Sequence, residues 1–268
     1  MPNIKLLQPT STQEALSLLS EHRDDAKVIA GGTAMVIMLR NRLIAPSVLL
    51  SLGRLQNLRT IRHEPGVGLR IGALTTIREA EVSPVIREKN PTLAQTFGEV
   101  ASVRVRNAAT VGGNLSEADY ASDPPCVLVA MRARVKASSV RGEREIPVAE
   151  LFRDFYETSL EPDEILTELI VPDPSPTTRS AYIKYVSRSS EDRPCVGMAA
   201  VVEMASDGVC KDLRVVAGAV AATPQEVQSA ETLARGQRLT DKLIEEIAEA
   251  YASKIDPISD LRGSDWYR

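Results

Sequence analysis

Apolar residues recur along this chain in short runs whose spacing changes several times. Between Thr12 and Ser20, the residues Ala15, Leu16, Leu18 and Leu19 share one helical face, with Ser11 or Thr10 placed to cap it. Lys27-Val28-Ile29-Ala30 predicts a short strand. Ala34 to Arg40 is apolar enough to predict a buried helix, and Ser47 to Ser51 the next strand, so residues up to about 54 form a small βαβ unit. From Leu58 the pattern changes. Leu69 to Ala73 predicts a strand, Thr76 to Ala80 the opening of a helix, and Pro91 to Val103 a helix with Leu93, Ala94, Phe97 and Val100 at helical spacing. Val127 to Ala130 packs next. Arg134 to Ala137 and Arg144 to Val148 alternate as sheet strands do, and Ile165 to Val171 is a further strand closed by Pro172.

The segment Pro172-Asp173-Pro174-Ser175-Pro176 is the clearest break, because three prolines in five residues oppose both helix and central strand. Beyond it, Ala181 to Val186, Met198 to Met204 and Leu213 to Val220 predict three antiparallel strands. Thr223 to Ala234 and Asp241 to Ser253 predict helices. The expected class is α+β. Residues 1–174 would form one domain of two α/β subdomains (about 1–54 and 55–174), and residues 177–268 a small α+β domain with a three-stranded antiparallel sheet.

Two glycine-rich loops carry the chemistry. The first is Ala30-Gly31-Gly32-Thr33-Ala34; the second is Thr110-Val111-Gly112-Gly113-Asn114. Paired glycines remove Cβ atoms, so backbone N–H groups can turn toward one anionic ligand. A helix starting just after the first loop would also aim its N-terminal N–H groups at that ligand. Thr33, Thr110, Asn114 and Ser116 add short polar groups suited to phosphate or ribose oxygens. Two such loops converging on one pyrophosphate would explain why a single chain needs both.

Charge and composition narrow the choice. A net charge of -4 over 268 residues argues against a nucleic-acid surface, and Arg132, Arg134 and Lys136 read as a dispersed, solvated set. No apolar run approaches the roughly 20 residues needed to span a bilayer. The opening Met1-Pro2-Asn3-Ile4-Lys5 lacks the apolar core of a secretion signal, which predicts a cytoplasmic protein. Cys126, Cys195 and Cys210 are too few and too scattered for a disulfide framework or an iron–sulfur cluster, and read as small buried hydrophobes. His22 and His63 read as isolated surface groups. With no Ser-His-Asp set, paired catalytic carboxylates or metal-site pattern, the sequence predicts a chain that holds a cofactor and leaves the chemistry to it.

The order and wording of the two loops, followed by Ser122-Asp123-Pro124-Pro125, resemble the FAD-binding subunit of the molybdenum hydroxylases. That family includes the flavin parts of xanthine dehydrogenase and aerobic carbon monoxide dehydrogenase. The resemblance runs from Ile4-Lys5-Leu6-Leu7-Gln8-Pro9 to Asp260-Leu261-Arg262-Gly263-Ser264. It implies a PCMH/vanillyl-alcohol-oxidase-like FAD-binding domain over residues 1–174. By that resemblance, Ala30, Gly31, Gly32, Thr33 and Ala34 contact the pyrophosphate. Thr110, Gly112, Gly113 and Asn114 contact the pyrophosphate and neighbouring ribityl, and Asp123 accepts from flavin-chain hydroxyls. Ile165 and Leu166 lie against the cofactor; Lys184 and Arg188 sit on one strand face near the isoalloxazine mouth, with Asp192 or Glu191 beside them. Tyr120 stands where relatives commonly have proline.

Read from residues alone, Asp123 equally suits a helix cap before Pro124, Ile165 and Leu166 suit core positions whichever ligand binds, and Lys184 and Arg188 suit a solvated strand edge. Tyr120, Tyr182 and Tyr185 are candidate flavin stackers, with core packing the stronger reading for Tyr182 and Tyr185. The implied function is an FAD-carrying electron-transfer subunit. Its partners would be a large subunit with the molybdenum–pterin cofactor and a small subunit with [2Fe–2S] clusters, in a dimer of heterotrimers. Electrons from the clusters would pass to NAD, oxygen or a quinone. Two readings of other classes stay open: a free-standing flavin oxidoreductase, and a non-catalytic nucleotide-binding assembly module.

Overall fold

The fold was obtained as a computed structural model, which describes residues 4–268. The expectations placed on Met1, Pro2 and Asn3 fall outside the described residues. The first unit runs β1 (Lys5–Leu7), α1 (Thr12–His22), β2 (Ala26–Ile29), α2 (Met35–Arg40) and β3 (Val48–Ser51). Its strands are parallel, in the order β1-β3-β2. Ser11 caps α1 by accepting from the Glu14 N–H, while the Glu14 carboxylate accepts from the Thr10 N–H. Ala15, Leu16 and Leu19 of α1 pack with Val48, Leu50 and Leu52. That cluster is filled from α1, and α2 stays outside it. The buried helix expected over Ala34–Arg40 is therefore a short surface helix: none of its residues is buried, and Val36 and Ile37 are exposed.

The second unit begins with β4 (Ile61–Glu64) and β5 (Gly68–Gly72). A run of helices follows: α3 (Ile77–Val82), α4 (Pro84–Lys89), α5 (Pro91–Glu99), α6 (Val103–Arg106), α7 (Val111–Glu117) and α8 (Asp123–Ala130). The chain then forms β6 (Arg134–Ser139), β7 (Gly142–Pro147), α9 (Val148–Leu151), the ribbon β8 (Phe152–Asp154)–β9 (Glu157–Thr158), and β10 (Ile165–Val171). The sheet is antiparallel, ordered β4-β5-β10-β6-β7. All seven residues of the central β10 are buried, which is why its sequence runs apolar instead of alternating. Ile165 packs into the cluster of the first unit and Leu166 into that of the second.

The helix expected from Pro91 to Val103 stops at Glu99. Ala101 takes φ 44°, Ser102 caps the separate α6, and the Arg106 guanidinium holds the Val100 and Ala101 carbonyls. His63 is not isolated, because its Nε2 lies 2.9 Å from both carboxylate oxygens of Asp173 in the proline-rich segment.

The three long C-terminal strands form as expected: β11 (Thr178–Tyr185), β12 (Val196–Met204) and β13 (Cys210–Gly218). A two-residue β14 (Gln225–Glu226) adds a fourth at the β13 edge. The helix expected over Thr223–Ala234 is thus reduced to α10 (Gln228–Glu231) and a 3-10 turn, since Gln225 and Glu226 pair with Ala217 and Val216. α11 (Asp241–Ala252) buries Ile247 and Tyr251 against this sheet's cluster. The opposite sheet face, with Tyr182, Ala199, Val201 and Val216, belongs to the same apolar cluster as α5 and α8. Every residue of α8 is buried, since it lies between the two sheets' layers and has no solvent face. Among the described residues, no helix is long and apolar enough to cross a membrane.

Candidate functional site

β2 feeds the first glycine loop, which lies against the segment preceding the second. A Cβ on Gly31 would fall 1.9 Å from the Ala108 carbonyl oxygen, so only glycine lets these two backbones approach so closely. Gly32 takes φ +74°, the left-handed region that a Cβ disfavours. Among the described residues, no acceptor takes the N–H groups of Gly31, Gly32, Thr33 or Ala34. These are consecutive donors at the entry to α2, and the loop is only partly covered. Four consecutive free N–H groups on a partly covered loop leading into a helix form a ready cradle for an anion.

The second loop is built differently. The Val111 N–H donates to Thr75 O (2.9 Å) and the Gly112 N–H to Ala73 O (2.8 Å). The Gly113 N–H donates to Thr110 Oγ1 (3.1 Å) and the Asn114 N–H to Thr110 O (2.9 Å). Its backbone donors are therefore engaged within the chain. Its glycines serve close packing instead: a Cβ on Gly112 would meet Ala73 Cβ at 2.6 Å. What this loop leaves for a ligand is polar side chain. Asn114 is paired with Ser122 Oγ at 2.8 Å, which ties the loop to the residue before Asp123.

Asp123 is the first residue of α8, and Ser122 occupies the cap position without a side-chain cap bond. Asp123 is 4% exposed, and its carboxylate bridges to the C-terminal sheet. Tyr182 donates its hydroxyl to Oδ1 at 2.7 Å, and Lys184 Nζ donates to Oδ2 at 3.2 Å and to the Glu99 carbonyl at 2.6 Å. Burial pushes the Asp123 carboxyl up to about 6, against the pull of Lys184 and the Tyr182 hydroxyl. Arg188 does not share a strand face with Lys184. β11 ends at Tyr185, where the Cys195 N–H closes a loop onto the Tyr185 carbonyl. Arg188 is exposed in that loop, 3.5 Å from Asp192, and Glu191 points to solvent.

Several participants left no motif in the sequence. Tyr182 as a partner of Asp123 is one, and the carbonyls of Ala108 and Glu99 are two more. Arg193 reaches from the same loop to the buried Asp119, and beside it burial and the Asp119 charge push Glu117 up to about 7. Tyr120, in the place of the expected proline, donates to Asp260 Oδ2 at 2.7 Å and accepts from Arg262 at 2.8 Å. Although burial opposes it, bonds from Arg268, Tyr120 and Arg262 hold the Asp260 carboxyl below its ordinary range. Only the spacing of Tyr182 and Lys184, two apart on a strand and therefore on one face, signalled any of this.

Residues 2–174 match the family described as the FAD binding domain in molybdopterin dehydrogenase, and residues 181–268 the CO dehydrogenase flavoprotein C-terminal domain. The chain is similar to the 6-hydroxypseudooxynicotine dehydrogenase complex subunit alpha of Paenarthrobacter nicotinovorans (33% identity, 100% of this chain, 90% of that protein). It is also similar to the nicotine 6-hydroxylase medium subunit of the same organism (34%, 100% and 93%). Among solved structures, carbon monoxide dehydrogenase from Hydrogenophaga pseudoflava superposes with a TM-score of 0.94 at 31% identity, covering 99% of this chain and 92% of that one. The fold, both domain matches and full-length relatives agree, and the chain belongs to the FAD-binding medium subunits of the molybdenum hydroxylases, a family of oxidoreductases.

Proposed function

We propose that this chain holds FAD across its two glycine loops and passes electrons through it within a molybdenum hydroxylase complex. The observation that carries the reading is the row of unpartnered N–H groups from Gly31 to Ala34, set on a backbone approach that only glycine permits. Two phosphates need several fixed donors, and these four would supply them without a side-chain charge. Gly31 brings the first loop onto the segment before the second and Gly112 seats the second on Ala73, while Thr110 and Asn114 offer oxygen and amide groups to the ribityl chain. Asp123 has lone pairs beyond the two that Tyr182 and Lys184 engage, and these would accept from ribityl hydroxyls. Ile165 and Leu166 form the apolar wall between the two units. Arg188 is the exposed cation left for the ring end; Lys184, buried, acts through Asp123.

When bound, FAD accepts electrons singly and delivers them in pairs. The partners would be a large subunit carrying the molybdenum–pterin cofactor and a small subunit carrying [2Fe–2S] clusters, in a cytoplasmic dimer of heterotrimers. Electrons would leave for NAD, oxygen or a quinone. The three cysteines support a division of labour: they are scattered and buried, and burial pushes the Cys126 thiol up to about 12, far from the thiolate a cluster needs. Residues 1–174 would form the FAD-binding domain, with subdomains about 1–54 and 55–174, and 177–268 the C-terminal domain.

The test is the absorption spectrum of the purified chain, with released cofactor identified by chromatography. The expected result is about one FAD per chain, reducible by dithionite, with no turnover of candidate substrates by the chain alone. A folded chain with no flavin, taking up none on titration, overturns the reading. Turnover of a small alcohol by the isolated chain favours the free-standing oxidoreductase.

A further inference from the structure

We propose that Tyr182 is a positioning residue of the cofactor site, fixing the Asp123 carboxylate from the other side of the domain junction. The inference rests on the reading of Asp123 as a ligand of the ribityl chain. Tyr182 and Lys184 lie two apart on β11, so both side chains leave the same face. Each takes a different oxygen of one carboxylate: the Tyr182 hydroxyl Oδ1 at 2.7 Å, the Lys184 ammonium Oδ2 at 3.2 Å. One donor would leave the carboxylate free to pivot about the bonded oxygen. Two donors on two oxygens set its plane.

The fold makes room for this hydroxyl. Gly197, the pairing partner of Lys184 on β12, has no Cβ; one built there would meet Tyr182 Oη at 2.7 Å. Tyr182 is 4% exposed, and Asp123 accepts from its hydroxyl in a site that water barely reaches. Cofactor loops in one domain thus depend on a side chain in the other. Lys184 is shared with the Glu99 carbonyl at the end of α5, so it alone does not serve the carboxylate.

Burial on α8 and three neighbouring groups set the charge on Asp123: Lys184 and Tyr182 from β11 and Glu99 from α5, with Cys126 close by on α8 itself. Burial raises the carboxyl to about 6, while Lys184 and Tyr182 hold it down and Glu99 adds to the rise. Ionised Asp123 is the form that accepts from hydroxyls, so affinity for FAD should fall as pH drops through about 6. Tyr182→Phe keeps the ring and removes the donor. Losing one hydrogen bond to a charged group should move that fall upward by about one pH unit.

The experiment is titration of FAD into the full-length chain, stripped of flavin, from pH 6 to 8. For Tyr182→Phe we expect affinity about fivefold weaker at pH 6, converging on the unmodified chain at pH 8. A variant that binds as tightly as the unmodified chain throughout, or is weaker by the same factor at every pH, overturns the inference. If Tyr182→Phe fails to fold, Gly197→Ala displaces the same hydroxyl and should give the same pH-dependent loss. Asp123→Asn separates the two levels of argument: it should bind weakly with no pH dependence. An unmodified chain that takes up no FAD at all defeats the proposed function itself.

Discussion

Replacing Gly31 with alanine tests the loop architecture most directly. The added Cβ would lie 1.9 Å from the Ala108 carbonyl oxygen and 2.7 Å from its carbon, with Ala109 Cα at 3.0 Å. All three are backbone atoms, so no rotamer change relieves the clash. Heavy-atom contacts of this kind do not close below about 3 Å, and the two segments must part by about an ångström. Overpacking of this sort costs about 1–3 kcal/mol of stability, and a backbone-on-backbone clash belongs at the upper end. The effect on ligand binding should be larger. N–H···O bonds span about 2.7–3.2 Å, so a shift of about 1 Å breaks those it moves. Two lost bonds to a charged phosphate, at about 1.5–3 kcal/mol each, weaken FAD by at least a hundredfold.

Flavin fluorescence titration measures the affinity, and urea unfolding measures the stability. Gly98→Ala is the control: it lies in α5, and its Cβ would meet the Glu81 side chain at an ordinary 3.5 Å. That change should stabilise the chain by about 0.5–1 kcal/mol through helix propensity and leave FAD affinity unchanged. A folded Gly31→Ala protein binding FAD within threefold of the unmodified chain would refute the reasoning.

Gly32 should fail differently from Gly31, because a Cβ there has room (Ile29 Cδ1 at 3.4 Å) but φ is +74°. Gly32→Ala should cost about 1–2 kcal/mol and Gly32→Asn distinctly less, with equal losses by urea unfolding counting against backbone strain as the cause. Thr110→Ala and Gly113→Ala should each cost about 1 kcal/mol, since both remove the bond between Thr110 Oγ1 and the Gly113 N–H. The double variant should cost clearly less than the sum, and strict additivity would sink that shared-bond account. Glu117 rises from 4.5 to about 7, so its contribution to stability is complete below 4.5 and is lost as pH climbs through 7. Discounted for its partial exposure, the loss between pH 6 and 8 should be about 0.5–1 kcal/mol. Glu117→Gln should flatten that slope; a variant with the slope intact assigns it elsewhere.

The elements most legible in the sequence were those whose own pattern decides their fate. Ser11 with Glu14, and Thr76 with Glu79, announce helix starts because the capping bonds are local. β10 reads as a buried strand because both its faces are covered. α2 misled because an apolar helix is only as buried as the layer available to it, and α1 had already filled the cluster. Gln225 and Glu226 gave no strand signal, since two residues pairing at an edge carry no periodicity. The same limit governs the site. Both glycine loops were visible, but their difference was not: whether an amide is free depends on carbonyls such as Thr75 O and Ala73 O brought by another turn. The bond from Tyr182 to Asp123 was hidden for the same reason, the two lying 59 positions apart.

α8 has a bearing on the order in which the protein is made. Its covering comes partly from strands β12 and β13, which leave the ribosome well after the loops and the central sheet. Until residues 196–218 have emerged, Cys126 lacks the Gly197 and Val216 carbonyls it donates to, and the apolar side of α8 lies open. The nascent chain therefore carries a finished first sheet beside a sticky, unfinished helix. Completion waits for the second sheet to dock, which makes the late strands the step where chaperones and translation speed act on yield.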